Sequence, residues 1–146
     1  MNDVHEDISQ LVILFIMSLT RDTIDFKFEN LKIGRLIFII NFIGYRKECT
    51  MKDIRNYLNV KASTATRQVD KLVNELALVN RITSEDDRRN VILTLTEKGW
   101  KVYKHHKQIQ EKLVHSFMGK FSPEEIQLIK KIILELTKND GIIPSK

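Results

Sequence analysis

The sequence contains a single cysteine, Cys49, among its 146 residues. A chain with one thiol forms no internal disulfide, which fits a protein of a reducing compartment. Acidic side chains at Asp3, Glu6 and Asp7 stand where a secretory signal would carry basic residues. The longest apolar run, residues 11–17, is far shorter than the ~20 residues that span a bilayer. We therefore expect a cytoplasmic protein with no membrane partner.

Proline and glycine are also scarce, with two and five copies respectively, so the chain has few natural helix breakers. Long helices are therefore expected in a mainly α fold. Apolar side chains at helical spacing predict helices over about 4–24, 31–45, 51–58, 62–76 and 96–118, and a last one that starts at Ser122-Pro123 and ends near Asn139.

Two of these helices, 51–58 and 62–76, are short and joined by a tight turn. Thr50 and Asp53 have the spacing of a capping box, and Asn59 tolerates the positive φ that such a turn requires. Short helices in this order indicate a helix-turn-helix. The outer face of the second helix carries the candidates for base and phosphate contacts, which are Ser63, Thr64, Thr66 and Arg67, with Lys71 as a phosphate contact. The alternative is that this face is only a solvated polar surface.

A β-hairpin is predicted directly after the second helix, because two apolar runs flank the polar loop at residues 84–90. The loop presents Arg88 and Arg89, whose guanidinium groups suit a phosphate backbone or a minor groove. Asp87 is the candidate to hold one of these arginines by a bidentate pair. A surface charge cluster of little energetic value is the alternative.

The net charge of +5 is distributed unevenly along the chain. Residues 34–95 carry eleven basic and seven acidic side chains, and residues 96–120 carry six and two. Residues 1–33 carry three basic and six acidic side chains. The excess of positive charge thus coincides with the helix-turn-helix, the hairpin and the following helix, which favours double-stranded DNA as a partner.

No motif for catalysis accompanies this pattern: the sequence has no Ser/His/Asp order, no paired carboxylates and no glycine-rich phosphate loop, so we expect neither an enzyme nor a cofactor. Glu111 and His115 have a spacing that suits a metal, but no His-x-x-x-His or cysteine pair supports them. We therefore expect no metal site and exposed histidines, including His105 and His106. Cys49 fits a small buried residue better than a sensor. A winged-helix module that binds protein instead of DNA remains the alternative function.

The segment KDIRNYLNVKASTATRQVDKLVNELALVNRITSEDDRRNVILTLTEKG, residues 52–99, resembles the core of the MarR (multiple antibiotic resistance regulator) family of winged-helix repressors. The matching pieces are STATR at 63–67, Asp70-Lys71-Leu72, Asp87-Arg88-Arg89 and LTEKG at 95–99, in the same order and spacing.

The resemblance implies a single domain in which a winged helix-turn-helix lobe at about 32–95 is flanked by dimerisation helices at 1–31 and 96–146. It implies a homodimer that represses transcription from a pseudo-palindromic DNA site and is released by a small aromatic or other apolar effector. Aromatic side chains at Phe38, Phe42, Tyr45, Trp100 and Tyr103 are the candidates to line an effector pocket, although their helical spacing fits a core equally well.

Three positions depart from the family pattern. Lys61 replaces the usual Ser or similar cap of the recognition helix. Ala77 lies near the usual glycine, and the segment between Leu72 and Arg81 is one residue longer. Cys49 lies between the second and third helices, not in the first helix, where oxidant-sensing members keep their thiol.

Overall fold

The computed structural model describes residues 2–140 and residue 142. Six α-helices and five short strands form the described chain. In chain order they are α1 (Asn2–Thr20), β1 (Lys27–Phe28), β2 (Leu31–Lys32), α2 (Ile37–Arg46), β3 (Glu48–Thr50), α3 (Met51–Leu58), α4 (Ala62–Asp70), β4 (Val79–Thr83), β5 (Val91–Leu95), α5 (Glu97–Met118) and α6 (Pro123–Thr137). None of the described helices combines the length and the apolar character that crossing a bilayer requires.

The chain divides into two compact units, residues 1–37 and 38–146. In the first unit, α1 is followed by a 3₁₀ turn at Arg21–Thr23 and by the β1–β2 hairpin, in which Lys27 pairs with Lys32 and Phe28 pairs with Leu31. The division into a lobe at 32–95 and flanking dimerisation helices remains a prediction, and residues 1, 141 and 143–146 of those flanks lie outside the described chain.

Two of the predicted helix boundaries in this region are wrong. The first helix ends at Thr20 rather than near residue 24, and the helix predicted from residue 31 begins only with α2. The carbonyl of Phe26 accepts hydrogen bonds from the N–H groups of both Ile33 and Gly34, which closes the hairpin. Gly34 has φ +55°, and a Cβ there would lie 2.9 Å from the carbonyl oxygen of Ile24. A left-handed glycine in this close contact separates the hairpin from the helix that follows.

The second unit contains a three-stranded antiparallel sheet in the order β3-β5-β4. Strands β4 and β5 are the predicted hairpin, with Val79 opposite Leu95 and Thr83 opposite Val91. Strand β3 was not predicted; it places Cys49 opposite Leu93. Strand β3, which directly precedes α3, pairs with β5 of the wing. The start of the helix-turn-helix is thus attached to the same sheet as the hairpin.

The predicted caps around α3 are confirmed. The Asp53 carboxylate accepts from the Thr50 N–H at 2.8 Å, and the Thr50 hydroxyl oxygen accepts from the Asp53 N–H at 3.1 Å. Asn59 ends the helix at φ 51°. Lys61 is the N-cap of α4 and makes no side-chain capping hydrogen bond, in agreement with its departure from the family pattern.

The helix predicted over 62–76 changes its form at Asp70. The α-helix α4 ends there, and Lys71–Glu75 form a π-helical turn before Ala77 adopts φ 54°. A π-turn places one more residue in a helix without displacing the residues beyond it. Leu72, which lies in this turn, remains buried.

Helices α5 and α6 begin with strong caps. The Thr96 hydroxyl accepts from the Gly99 N–H and donates to the Ala77 carbonyl at 2.8 Å, which fixes the start of α5 against the segment that follows α4. Ser122 and Glu125 form a complete capping box with Pro123 at the first helical position. The core of the second unit is aliphatic and includes Ile39, Ile40, Ile43, Ile54, Val69, Leu72, Leu78, Leu93 and Val102.

Candidate nucleic-acid interface

Helix α4 has a buried face and an exposed polar face. Ala65 and Val69 are buried against the rest of the unit. Ser63, Thr66 and Arg67 are exposed, whereas Thr64 is half-buried. The helix thus presents two hydroxyls and one guanidinium on a surface that the neighbouring elements leave open, as a helix that enters a major groove requires.

The tip of the wing is ordered by Asp87. Its carboxylate accepts a hydrogen bond from the Arg89 N–H at 2.9 Å, and its carbonyl accepts from the Asn90 N–H at 3.0 Å. The sequence predicts that Asp87 pairs with the guanidinium group of Arg88 or Arg89. In the structure the carboxylate instead supports the loop by binding the main chain. The side chains of Arg88 and Arg89 are both exposed.

The charge on this surface is set by one ion pair. Asp70 ends α4, and its carboxylate accepts from the Arg81 guanidinium in β4. Asp70 lies within one helical turn of Arg67 and Lys71. Without Arg81 its negative charge would oppose the attraction of these two cations for phosphates. In the described chain no carboxylate lies within 4 Å of the charged group of Arg67, Lys71, Arg88 or Arg89.

Two basic residues near α4 were missed by the sequence analysis. Lys52 and Arg55 are exposed on α3 and border a cleft of about 160 Å³, whose other wall is α4. Their spacing of three residues on the first helix of a helix-turn-helix is the signal that would have found them, because such residues share one helical face.

The predicted effector residues lie in or near contacts between α2, α3 and α5. The ring of Phe42 stacks on Tyr57 with centroids 4.4 Å apart, and Trp100 meets Tyr103 edge to face at 5.5 Å. Tyr103 packs against Gly44, where a Cβ would come within 2.5 Å of its ring. Phe38 is half-buried and Tyr45 is exposed. Phe42 and Tyr103 thus take part in packing, and the pocket remains a prediction.

His106 contradicts the expectation of exposed histidines, because its side chain is buried. The Asn41 amide nitrogen lies 3.0 Å from Nδ1 of His106, so the ring accepts this hydrogen bond through an unprotonated nitrogen. Burial, and secondarily the neighbouring His105, lower the pKa of His106. The sequence signal was its position one turn after the buried Val102.

Cys49 is buried in β3, as expected. Desolvation, with a smaller contribution from Asp53, raises the pKa of its thiol to about 12. The thiolate is the reactive form of cysteine, so the raised pKa disfavours reaction of this thiol at neutral pH. The geometry thus gives no support to oxidant sensing by Cys49.

Comparisons with known proteins agree with this geometry. A family model described as a winged helix DNA-binding domain matches residues 34–99. The HTH-type transcriptional regulator BilQ of Clostridium symbiosum is 30% identical over 108 residues, which cover 71% of this chain and 74% of that protein. The structure of Streptococcus pneumoniae FabT, solved in complex with DNA, has 25% identity and a TM-score of 0.73, and the match covers 92% of this chain and 95% of that one.

A MarR protein from Peptoclostridium difficile has the same fold, with a TM-score of 0.71 at 21% identity over 92% of this chain and 86% of that one. The predicted mainly α winged helix-turn-helix with a small β-hairpin wing is therefore confirmed. The curated relative is named as a transcriptional regulator, so the chain is grouped with regulators rather than with enzymes.

Proposed function

Because this chain belongs to the MarR family of DNA-binding winged-helix transcriptional regulators, we propose that it is a cytoplasmic homodimeric repressor of a pseudo-palindromic operator. In this proposal α4 enters the major groove, the wing reaches the minor groove, and a small aromatic or other apolar effector releases the protein from DNA. Repression follows from occupancy, since a bound dimer excludes other proteins from the promoter.

The observation that carries the proposal is the placement of exposed cationic groups on two neighbouring elements of one compact unit. Arg67 lies on the exposed face of α4, and Arg88 and Arg89 lie at the tip of the hairpin that shares the sheet with β3. A rigid helix–wing pair of this kind fits adjacent grooves of duplex DNA. FabT, the neighbour with similar helices and wing, was crystallised on DNA, which supports the same use here.

A homodimer is supported by apolar surface that a single chain leaves exposed. Residues 11–17 of α1 are seven consecutive apolar side chains, and all are exposed. On α6, Leu128, Ile132 and Leu136 form a stripe with exposed fractions of 57%, 49% and 71%. Contiguous apolar patches of this kind mark association sites. A second copy of the chain is the partner that we propose for both helices.

The dimer is tested by a pair of neighbouring substitutions on α6. Leu128→Glu places a carboxylate in the apolar stripe, and Gln127→Glu places one on the adjacent exposed position. Sedimentation velocity at micromolar concentration should give a dimer for the wild type and for Gln127→Glu, and a monomer or aggregate for Leu128→Glu. A wild-type protein that sediments as a folded monomer would exclude the proposed assembly.

The operator is tested by selection of binding sites from a randomised duplex pool. A two-fold dimer that places both α4 helices on one face of B-DNA needs recognition helices about 34–36 Å apart. We therefore expect an inverted repeat with half-site centres about 10 base pairs apart and an affinity that falls steeply with salt. A single half-site, or half-sites out of helical phase, would contradict the dimer or the choice of α4. Salt-independent or undetectable binding would favour the protein-interaction module.

A further inference from the structure

The β1–β2 hairpin borders a cleft to which the proposed function gives no role. The cleft encloses about 300 Å³ and lies within the first compact unit. Pockets that bind small molecules begin at about this volume. Its charged lining residues are Asp25, Lys27 and Lys32, and Ile24 is among the apolar ones. The cleft therefore has a net positive charge beside an apolar surface.

Lys27 and Lys32 lie directly opposite each other on the two strands. The Ile33 N–H donates to the Phe26 carbonyl at 3.0 Å, so residues 26 and 33 form a hydrogen-bonded pair. Such pairs alternate with non-hydrogen-bonded pairs along an antiparallel ladder, and the latter hold their side chains closer together. The two lysines form a pair of this closer kind, with Cβ atoms about 4.5–5.5 Å apart on one face of the hairpin. Both ammonium groups can therefore reach a single ligand.

This placement of two cations is unfavourable in the free protein. Like charges at directly opposite positions destabilise a pair of strands. Both lysines are exposed, and among the described residues neither ammonium group lies within 4 Å of a carboxylate, that of Asp25 included. An anion held between the two groups would replace their repulsion by two attractive interactions. The hairpin thus favours a ligand with a compact, doubly negative group.

The charges of the cleft favour a small phosphate monoester over the backbone of DNA. A monoester carries about −1.5 to −2 charges at neutral pH and has three acceptor oxygens, enough for both ammonium groups. Each phosphodiester of DNA carries a single negative charge, and the exposed Asp25 would repel the neighbouring phosphates of a duplex. A small monoester faces Asp25 with its organic part, and a hydroxyl group there can donate to the carboxylate.

We propose that the cleft binds a small molecule with a phosphate monoester group, which the ammonium groups of Lys27 and Lys32 hold between them. Asp25 accepts a hydrogen bond from a hydroxyl group of the same molecule. The site shares no residue with the candidate DNA surface or with the aromatic effector residues, so the proposal does not rest on the proposed function.

The experiment titrates the full chain with inorganic phosphate and with glycerol 3-phosphate by calorimetry, at neutral pH and with the ionic strength held constant by sodium chloride. Each probe should bind saturably, with one molecule per chain, and glycerol 3-phosphate should bind more tightly. Lys27→Ala and Lys32→Ala should each weaken both affinities by about tenfold or more, because each removes a charge-assisted hydrogen bond. Lys120→Ala removes the same charge from an exposed position after α5 and should change neither affinity.

Two further variants separate binding from folding and identify the role of the carboxylate. Lys32→Glu replaces the like-charged pair by a pair of opposite charge, so it should raise the melting temperature of the free protein and abolish the binding of both probes. Asp25→Ala should remove the preference for glycerol 3-phosphate, since it removes the acceptor for the hydroxyl group, and should strengthen the binding of inorganic phosphate.

A wild type that binds neither probe saturably would overturn the inference, as would alanine variants that bind both probes as tightly as the wild type. Fluorescence anisotropy with duplex DNA gives the remaining comparison. Weaker duplex binding by Lys27→Ala, with no binding of the small probes by the wild type, would overturn the inference and assign the lysines to the DNA backbone. Saturable binding of the probes by a wild type that binds no duplex would support the inference and contradict the proposed function.

Discussion

The guanidinium group of Arg81 in β4 lies 2.5 Å from the carboxylate of Asp70, the last residue of α4. This pair connects the recognition helix to the first strand of the wing across the π-helical turn. It also neutralises the one carboxylate that α4 presents beside Arg67 and Lys71. The pair thus has a mechanical role and an electrostatic role, and substitutions can separate them.

Arg81→Ala should weaken DNA binding more than it lowers stability. The pair is partly exposed, so its coupling energy should be only about 0.2–1 kcal/mol. The unpaired Asp70 would meanwhile repel phosphates near Arg67. Asp70→Asn in the Arg81→Ala background should restore most of the affinity if repulsion dominates, as measured by fluorescence anisotropy. If the double variant binds as weakly as Arg81→Ala, orientation of the wing is the main role of the pair.

Ala77→Gly should stabilise the protein. Ala77 has φ 54°, a conformation that costs a residue with a Cβ about 1–2 kcal/mol and costs glycine little. The greater freedom of glycine in the unfolded chain offsets part of this gain. We therefore expect a net increase of about 0.5–1 kcal/mol in the free energy of unfolding, measured by urea denaturation. Ala62→Gly makes the same change at an exposed helical position and should lower stability. An Ala77→Gly protein that is less stable than the wild type would contradict the positive φ at residue 77.

Local sequence signals predicted the features that depend on neighbouring residues. The Thr50–Asp53 capping box, the start of the last helix at Ser122-Pro123 and the turn at Asn59 all depend on residues close together in the sequence. The β4–β5 hairpin is similarly local, because its two strands are joined by one short loop. These elements give the helix-turn-helix and the wing, and hence the candidate DNA surface.

Features that depend on distant partners were not predicted. Strand β3 has three residues and exists because Cys49 pairs with Leu93, far along the chain. Helical spacing from Val102 was a local signal for the burial of His106, but its polar partner, Asn41 of α2, lies far along the chain and was not predicted. The π-helical turn at Lys71–Glu75 was not predicted either; Leu72 within it and Leu78 after it are buried in the core.

Arg88→Ala and Arg89→Ala should each weaken binding to the selected duplex without unfolding the protein. Both side chains are exposed at the wing tip, and the loop itself is held by Asp87 through main-chain hydrogen bonds. Removal of one guanidinium from a minor groove or a phosphate should cost about 1–3 kcal/mol of binding free energy. Circular dichroism melts should match the wild type. Unchanged affinity of both variants at physiological salt would contradict the assignment of the wing.

Gly99→Ala should destabilise the protein by about 1–3 kcal/mol or more. A Cβ at this position would lie 2.0 Å from the carbonyl oxygen of Leu78, which also accepts from the Thr96 N–H at 3.1 Å. The backbone must therefore move, and overpacking of this kind costs about 1–3 kcal/mol or more. Gly119→Ala is the control, since its nearest neighbour would be 3.5 Å away at an ordinary helical φ of −61°. That change should be neutral or slightly stabilising in the same denaturation experiment.

The stability of the protein should fall as the pH drops below about 6.5 because of His106. Burial lowers the pKa of this ring in the folded state, whereas the unfolded chain keeps the ordinary value of about 6.5. Between the two values the unfolded chain binds more protons, so the free energy of unfolding decreases as the pH falls and becomes level below the folded-state pKa. Above about pH 7 the group contributes no pH dependence, since it is neutral in both states.

Urea denaturation at a series of pH values from 8 to about 5 measures this effect. His106→Gln retains an acceptor for the Asn41 amide but has no ionisable group, so its stability should decline less than that of the wild type over this range. His115→Gln removes an exposed histidine from the same helix and should leave the wild-type slope in place. Parallel pH profiles for the wild type and His106→Gln would show that His106 binds its proton equally well in the folded and the unfolded protein. That result would contradict the burial of a neutral His106 ring between α2 and α5.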